Sequence, residues 1–301
     1  MSDGRLIHTG QVILDLVMRV PEVPASGQDV LASATDLLPG GGFNVMAAAA
    51  RSGAAVLYAG AHGTGPFGDR VREALAREGI AVARPPGDES ATGMCVALVE
   101  EDGERTFITG TGAEGRLDLD ALTAIEVTET DLVYVTGYSL LNPGNRAVLK
   151  AWLPDLPGRV LLDPGPLAAH LPLTDVLEDV SFLSCSASEA QDSFLDHLPP
   201  QATAIIRTGP SGCTLVRGGE RTPVPGFPVT PVDTNGAGDT HCGVLAAELL
   251  RGSDLETAAR RANAAAALSV LRPGPATAPT REEISGFLAA PRPADPRGGG
   301  L

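Results

Sequence analysis

Apolar residues along this chain fall into short β-rich runs alternating with longer segments that repeat at helical spacing. Residues 5–20 read as strands punctuated by Gly10, and "AAVLYAGAHG" (54–63) as a buried strand. In "PFGDRVREALAREGI" (66–80), Val71, Leu75 and a closing Gly79 give an amphipathic helix. "TGMCVALVEEDGERTFITG" (92–110) reads as two strand runs hinged at Asp102-Gly103. Strands follow in "DLVYVTG" (131–137), "RVLLDPGP" (159–166), "DVSFLSCS" (179–186) and "ATAIIRTGPSG" (202–212), and a hairpin in "CTLVRGGERTPVPG" (213–226). Helices are predicted in "NRAVLKAWL" (145–153), "SEAQDSFLDHL" (188–198), the run after Gly236, "DLETAARRANAAAALSVLR" (254–272) and "REEISGFLAA" (281–290). Such alternation implies a mostly parallel sheet covered by helices on both faces. The strand-rich regions near 11–38 and 93–109 do not fit that layer and are expected to form a small separate sheet. The tail at 291–301, "PRPADPRGGGL", is expected to be disordered.

In an open parallel sheet, ligands sit beyond the carboxyl ends of the strands. That places the loops "PGGGFN", "RTGPSG" and "TNGAGD" along one edge. In the last, Gly236, Ala237 and Gly238 strip side chains from a helix start, whose free N–H groups and dipole bind anions. Asp239 would repel that anion, unless it takes a proton from the group attacking it. A simple helix cap is the alternative.

Composition narrows the field. The chain has 301 residues, 37 acidic against 22 basic, a formal charge of −15, and no basic cluster. Nucleic acid and anionic membranes are therefore not expected partners. Four scattered cysteines form no CxxC pair, and the N-terminus lacks the basic and apolar segments of a signal peptide. A cytoplasmic protein with reduced thiols is expected. "GTGPFG" (63–68) has dinucleotide-fingerprint spacing, but Pro66 removes an N–H from its turn, and the acidic Asp88 or Glu89 falls in a turn. A Walker A loop is excluded, because the single lysine, Lys150, follows no glycine.

"DTNGAGDTHCG", "PGGGFNVMAAAARSGA" and "GTGPFGD" together resemble the signatures of the ribokinase (PfkB) family of sugar and nucleoside kinases. The correspondence runs in order over nearly the whole chain. It implies a three-layer α/β/α ribokinase-like domain over 1–290, with a mostly parallel central sheet and a small β lid from about 11–38 and 93–109. It also implies an ATP- and Mg2+-dependent phosphotransferase acting on a hydroxyl, a primary one, of a small sugar or sugar derivative such as a sugar acid. Gly236, Ala237 and Gly238 carry over as the anion hole and Asp239 as base. Asp15, Gly41, Gly42 and Asn44 carry over as sugar contacts, with an edge-strand position and a helix N-cap as the alternatives for Asp15 and Asn44. Thr208, Gly209 and Gly212 correspond to the nucleotide loop, and Asn263 to an adenine contact or a core-edge polar residue. Glu189 corresponds to a magnesium anchor acting through water, or to a capping-box glutamate with Ser186, which replaces the family's usual asparagine. Asp233, Gly274 and Thr277 fall near loops where some members bind a monovalent cation such as K+, although "RPGPAT" is shorter than in ribokinase. His241 and Cys242 are adjacent on a helix, so core packing is expected rather than a nucleophile pair. Tyr138 stands near a sugar-contact position. Only 4% of residues are aromatic, with Phe43 and Tyr138 the stacking candidates, which favours a sugar over a nucleoside. A catalytically silent relative is a further alternative, and a homodimer through the lid is common in the family.

Overall fold

The computed structural model describes residues 4–290 except 88, 89, 103 and 167; the expected disordered tail and the acidic pair at 88–89 lie outside them. The strands in chain order are β1 (Arg5–His8), β2 (Val12–Arg19), β3 (Ala34–Gly41), β4 (Ala55–Tyr58), β5 (Ala81–Val82), β6 (Met94–Val99), β7 (Arg105–Gly110), β8 (Leu132–Thr136), β9 (Arg159–Asp163), β10 (Phe182–Ser186), β11 (Thr203–Arg207), β12 (Gly212–Arg217) and β13 (Glu220–Pro225). The helices are α1 (Gly42–Arg51), α2 (Gly65–Arg77), α3 (Leu119–Thr123), α4 (Gly137–Leu141), α5 (Pro143–Trp152), α6 (Asp192–Asp196), α7 (Ala237–Leu250), α8 (Leu255–Ser269) and α9 (Arg281–Ala289).

Nine strands form the main sheet in the order β13-β12-β11-β10-β9-β8-β1-β4-β5. Pairing is parallel from β5 to β11 and antiparallel only at the β12 and β13 edge. Side chains alternate between the two faces, as a pleated strand requires. Leu6, Leu132, Tyr134 and Leu161 join a core with α1, α2 and α7, while Ile7, Val133, Val135, Val160 and Leu162 join one with α3, α4 and α5. A strand buried on both faces must be apolar throughout, hence the continuous runs in the sequence.

The two regions that did not fit this layer form a four-stranded sheet, β3-β2-β6-β7. β2 and β3 pair antiparallel, as do β6 and β7, and the two hairpins join through a parallel β2/β6 contact. β2 is therefore an interior strand, which corrects the edge-strand alternative for Asp15. β3 runs on through Gly41, so the segment expected as the loop "PGGGFN" is the end of a lid strand passing directly into α1. A second difference is at 188–198, where the predicted helix is reduced to the five residues of α6. No helix among the described residues is long and apolar enough to cross a membrane.

Candidate active site

The carboxyl ends of β1, β8, β9, β10 and β11 and the first turns of α1 and α7 meet under the lid. Gly236, the N-cap of α7, has φ 71, and a Cβ there would lie 2.2 Å from the Pro275 carbonyl oxygen, so only glycine fits. No side chain caps α7, and the Ala237 N–H makes only a long 3.4 Å contact with the Thr234 carbonyl. The first-turn amides are thus available to an anion. Asp239 occupies the same turn. Burial pushes its pKa up to about 6; a hydrogen bond from Asn44 opposes the rise, Asp163 adds to it and Arg207 opposes it.

Asn44 reaches Asp239 because α1 and α7 pack backbone to backbone. A Cβ on Gly243 would lie 2.3 Å from the Val45 carbonyl oxygen and 2.7 Å from Ala48 Cβ. The small-residue run of α1 permits this approach, and Asn44 Nδ2 donates to Asp239 Oδ2 at 2.9 Å. Asn44 is buried, with its Oδ1 unpartnered. It sits inside α1, whose N-cap is Gly41 with no side-chain cap, so the alternative reading of Asn44 as a helix N-cap is corrected.

Asp15 enters from the lid. Its carboxylate lies over Gly40, where a Cβ would fall 2.1 Å from Oδ2. Its pKa also rises to about 6, through burial and then through the charge of Asp239. Two carboxylates, one on the lid sheet and one on α7, therefore sense each other across the space between lid and helix. Tyr138, 43% exposed at the start of α4, has its hydroxyl pKa raised by burial and by Asp239, so it borders the same space. Phe43 is only 4% exposed and belongs to the core, which removes it as a stacking ring.

Beneath Gly238 lies a buried polar cluster centred on Arg207. Its Nη1 donates to Asp163 Oδ2 at 2.9 Å, Ser184 Oγ at 3.2 Å and Cys242 Sγ at 3.0 Å, and its Nη2 lies 3.4 Å from Glu189 Oε2. Burial opposes its charge, but Asp163 and its other neighbours outweigh that and keep it protonated. Cys242, pushed far up by burial and by Asp163, is a neutral thiol that donates to Asp163 Oδ2 at 3.2 Å. His241 points elsewhere, with Nε2 3.1 Å from Asn263 Oδ1. These two residues are packing groups, as expected. Asn263 spends its amide on the Val224 and Pro225 carbonyls, at 3.1 and 3.3 Å, so the expectation of an adenine contact is corrected to a buried strut between α7, α8 and β13.

Glu189 and Ser186 form the reciprocal capping pair. Ser186 N donates to Glu189 Oε2 at 2.7 Å, and Glu189 N to Ser186 Oγ at 3.3 Å. The box closes a turn rather than opening the predicted helix. Thr208 closes the neighbouring loop, with N and Oγ1 both donating to the Gly212 carbonyl, at 2.8 and 3.0 Å. Gly209, at the start of its short 3-10 turn, is exposed.

At the predicted cation position, Asp233 and Thr277 are engaged with protein groups. Asp233 is ion-paired with Arg105 of β7 and accepts from the Asn235 and Gly274 N–H groups, each at 2.9 Å. Gly274 thus turns a donor, not an oxygen, toward Asp233, and Thr277 Oγ1 donates to the Ser269 carbonyl at 3.0 Å. Among the described residues there is no group of three or more His, Cys, Asp and Glu that could hold a metal ion.

Sequence reasoning missed Arg207, Asp163 and Arg105. The first two had a signal: each is the charged residue ending an apolar strand, at the carboxyl edge where ligands bind.

An uncapped helix start, a buried carboxylate beside it and a second carboxylate on a β lid thus stand together at the carboxyl edge of the main sheet. The structure superposes on Arabidopsis thaliana ribokinase complexed with ribose and ATP with a TM-score of 0.75, covering 96% of this chain and 100% of that one at 21% identity. In sequence it is 30% identical over 291 residues to the ribokinase of Bacillus subtilis, covering 93% of this chain and 98% of that protein. It is 29% identical over 294 residues to the uncharacterized sugar kinase YegV of Escherichia coli strain K12, with 91% of each covered. The pfkB family carbohydrate kinase pattern matches residues 4–282, and the chain belongs to that family. It is a carbohydrate kinase, with a sugar as phosphoryl acceptor.

Proposed function

We propose that this kinase transfers the terminal phosphoryl group of ATP, carried with Mg2+, to a primary hydroxyl of a small uncharged sugar. The observation that carries this reading is the placement of Asp239, bonded to Asn44 beside the open first turn of α7, close enough to Asp15 on the lid for the two charges to interact. Asp239 accepts the proton of the attacking hydroxyl. The amides of Gly236, Ala237 and Gly238 stabilise charge on the phosphoryl group in transit. Asp15 accepts hydrogen bonds from sugar hydroxyls, and the vacant Asn44 Oδ1 accepts another. The Gly41–Gly42 backbone frames the sugar from below. An anionic sugar would meet Asp15, Asp239 and the field of Asp163, which favours a neutral acceptor.

Thr208, Gly209 and Gly212 form the loop proposed to hold the nucleotide; ATP as donor is supported by the complex of the Arabidopsis relative. Magnesium usually keeps several waters and is held by phosphates plus one or two carboxylates. Glu189 fits that demand through Oε1, since among the described residues it is Oε2 that Ser186 and Arg207 engage. When bound, the ion neutralises phosphate charge. The lid's edge strand β7 exposes Phe107 and Ile108, at 55% and 63%, which supports a homodimer through the lid.

The test is ATP turnover across a panel of pentoses, hexoses and nucleosides, with Asp239→Asn as control. Turnover on a sugar that the variant lacks is expected. Turnover confined to nucleosides would establish the nucleoside kinase, and binding without turnover the silent relative.

A further inference from the structure

We propose that Arg105, a lid residue, is the resident cation of the turn that leads into the anion hole. This kinase then needs no monovalent metal ion, and Arg105 positions its phosphate site. The inference rests on the phosphoryl-transfer reading above.

Asp233 stands three residues before Gly236, and its carboxylate ties together everything that shapes that turn. Oδ1 takes the Arg105 guanidinium and the Asn235 N–H, while Oδ2 takes the Gly274 N–H. The backbone is sewn to the same loop: Val232 N and Asp233 N both donate to the Val270 carbonyl, at 2.7 and 3.1 Å, and Gly236 abuts the Pro275 carbonyl. Asp233 is thus the clasp between the 232–236 turn and the 270–275 loop. Unneutralised, its charge would oppose an incoming phosphate at the adjacent helix start.

A metal ion at this clasp would need a shell of oxygens. Among the described residues, the groups bonded to the Asp233 carboxylate are a guanidinium and two amide N–H groups, so both of its oxygens are already engaged. The pair is well shielded, with side chains 22% and 16% exposed, where such a contact is stronger and less screened than on the open surface. The cation comes from β7, so the charge balance of the anion hole depends on where the lid stands. Arg105 acts through Asp233 and not on the reacting atoms; it is a positioning residue.

The experiment compares wild type, Arg105→Gln, Arg105→Lys and the double variant Arg105→Gln/Asp233→Asn. Ionic strength is held with choline chloride while KCl or guanidinium chloride is added. Wild-type turnover and Tm are expected to stay within about twofold and about 1 °C as K+ replaces choline. Arg105→Gln should raise the KM for ATP by about tenfold, with the KM for sugar within about twofold. K+ or guanidinium should recover most of that loss and raise the Tm of the variant without substrates. Arg105→Lys should retain cation independence, and the double variant should lose less than Arg105→Gln alone. Strong activation of wild type by K+, or equal loss of both KM values in Arg105→Gln with no response to either cation, would overturn the proposal. The Tm comparison reads the clasp without turnover, so failure of the kinase reading and failure of this proposal are separable.

Discussion

The two site carboxylates invite comparison, because they share a pKa of about 6 and almost nothing else. Asp239 is built into the rigid part of the molecule. Its helix packs on α1 through Gly243, Asn44 holds its Oδ2, and Arg207 lies beneath the same turn. Asp15 stands on a four-stranded sheet whose tie to the anion-hole turn is the Arg105–Asp233 pair. Burial is the main cause of both shifts. The second cause differs: Asp239 is tuned by fixed neighbours, whereas Asp15 is tuned by Asp239 itself. On the proposed function, the chemistry is anchored in the main body and substrate recognition is carried on the separate lid sheet.

The largest expected effect separates these roles. Asp239→Asn keeps shape and removes the proton acceptor, so kcat should fall by ~10²–10⁴-fold while the protein still folds. Retention of half the wild-type kcat would assign the base elsewhere. Asp15→Ala should instead raise the KM for the sugar by ~10–100-fold and leave that for ATP nearly unchanged, a split that steady-state kinetics with each substrate varied will show.

Gly243→Val should act on the anchored half alone. The added side chain meets the Val45 carbonyl, so thermal stability should drop by about 1–3 kcal/mol, and kcat should fall as Asn44 and Asp239 part.

The pH dependence of activity and of stability should run in opposite directions. Both carboxylates bind protons more tightly folded than unfolded. Their contribution to stability is therefore full below the ordinary carboxylate range and is lost as pH rises through about 6. Between pH 5 and 7.5 the substrate-free protein should lose about 1–3 kcal/mol from these groups, while kcat/KM rises over the same interval as Asp239 ionises. Calorimetric melts and a rate profile check both arms, and Asp239→Asn should flatten the stability slope. The smallest effect on the pH profile is expected for Asn44→Leu, which also removes the proposed acceptor Oδ1 and should raise the KM for the sugar. Removing a bond that favours the ionised form shifts the acid limb of the rate profile to higher pH.

Much of the anchored half was legible in the sequence. A glycine-stripped helix start followed by aspartate is a local pattern, and strand–helix alternation fixes which edge of the sheet it faces. Asp15 was harder. As one charge among Ile13, Leu14, Leu16 and Val17, it reads equally as a solvent-facing edge residue, and only the resemblance raised it to a sugar ligand. What separates the readings is the parallel β2/β6 pairing, a contact some 80 residues long in sequence that no local pattern encodes. Arg207 and Arg105 escaped for the same reason, since their partners lie 44 and 128 positions away. Asn263 shows the converse failure: a polar residue matched by position was consumed by carbonyls of β13, which only the packed structure reveals.

The buried thiols have a practical consequence. Cys95, Cys185, Cys213 and Cys242 are all free and all enclosed. Burial lifts Cys185 to about 12 and Cys213 to about 11, and raises the other two as well. A thiol needs to be a thiolate, and accessible, to react with a maleimide. The native chain is therefore a quiet background for fluorophore chemistry. One cysteine introduced at Leu31, 86% exposed in the connection between β2 and β3, would take a dye at a single chosen point on the lid, and the position of that lid could then be followed by light.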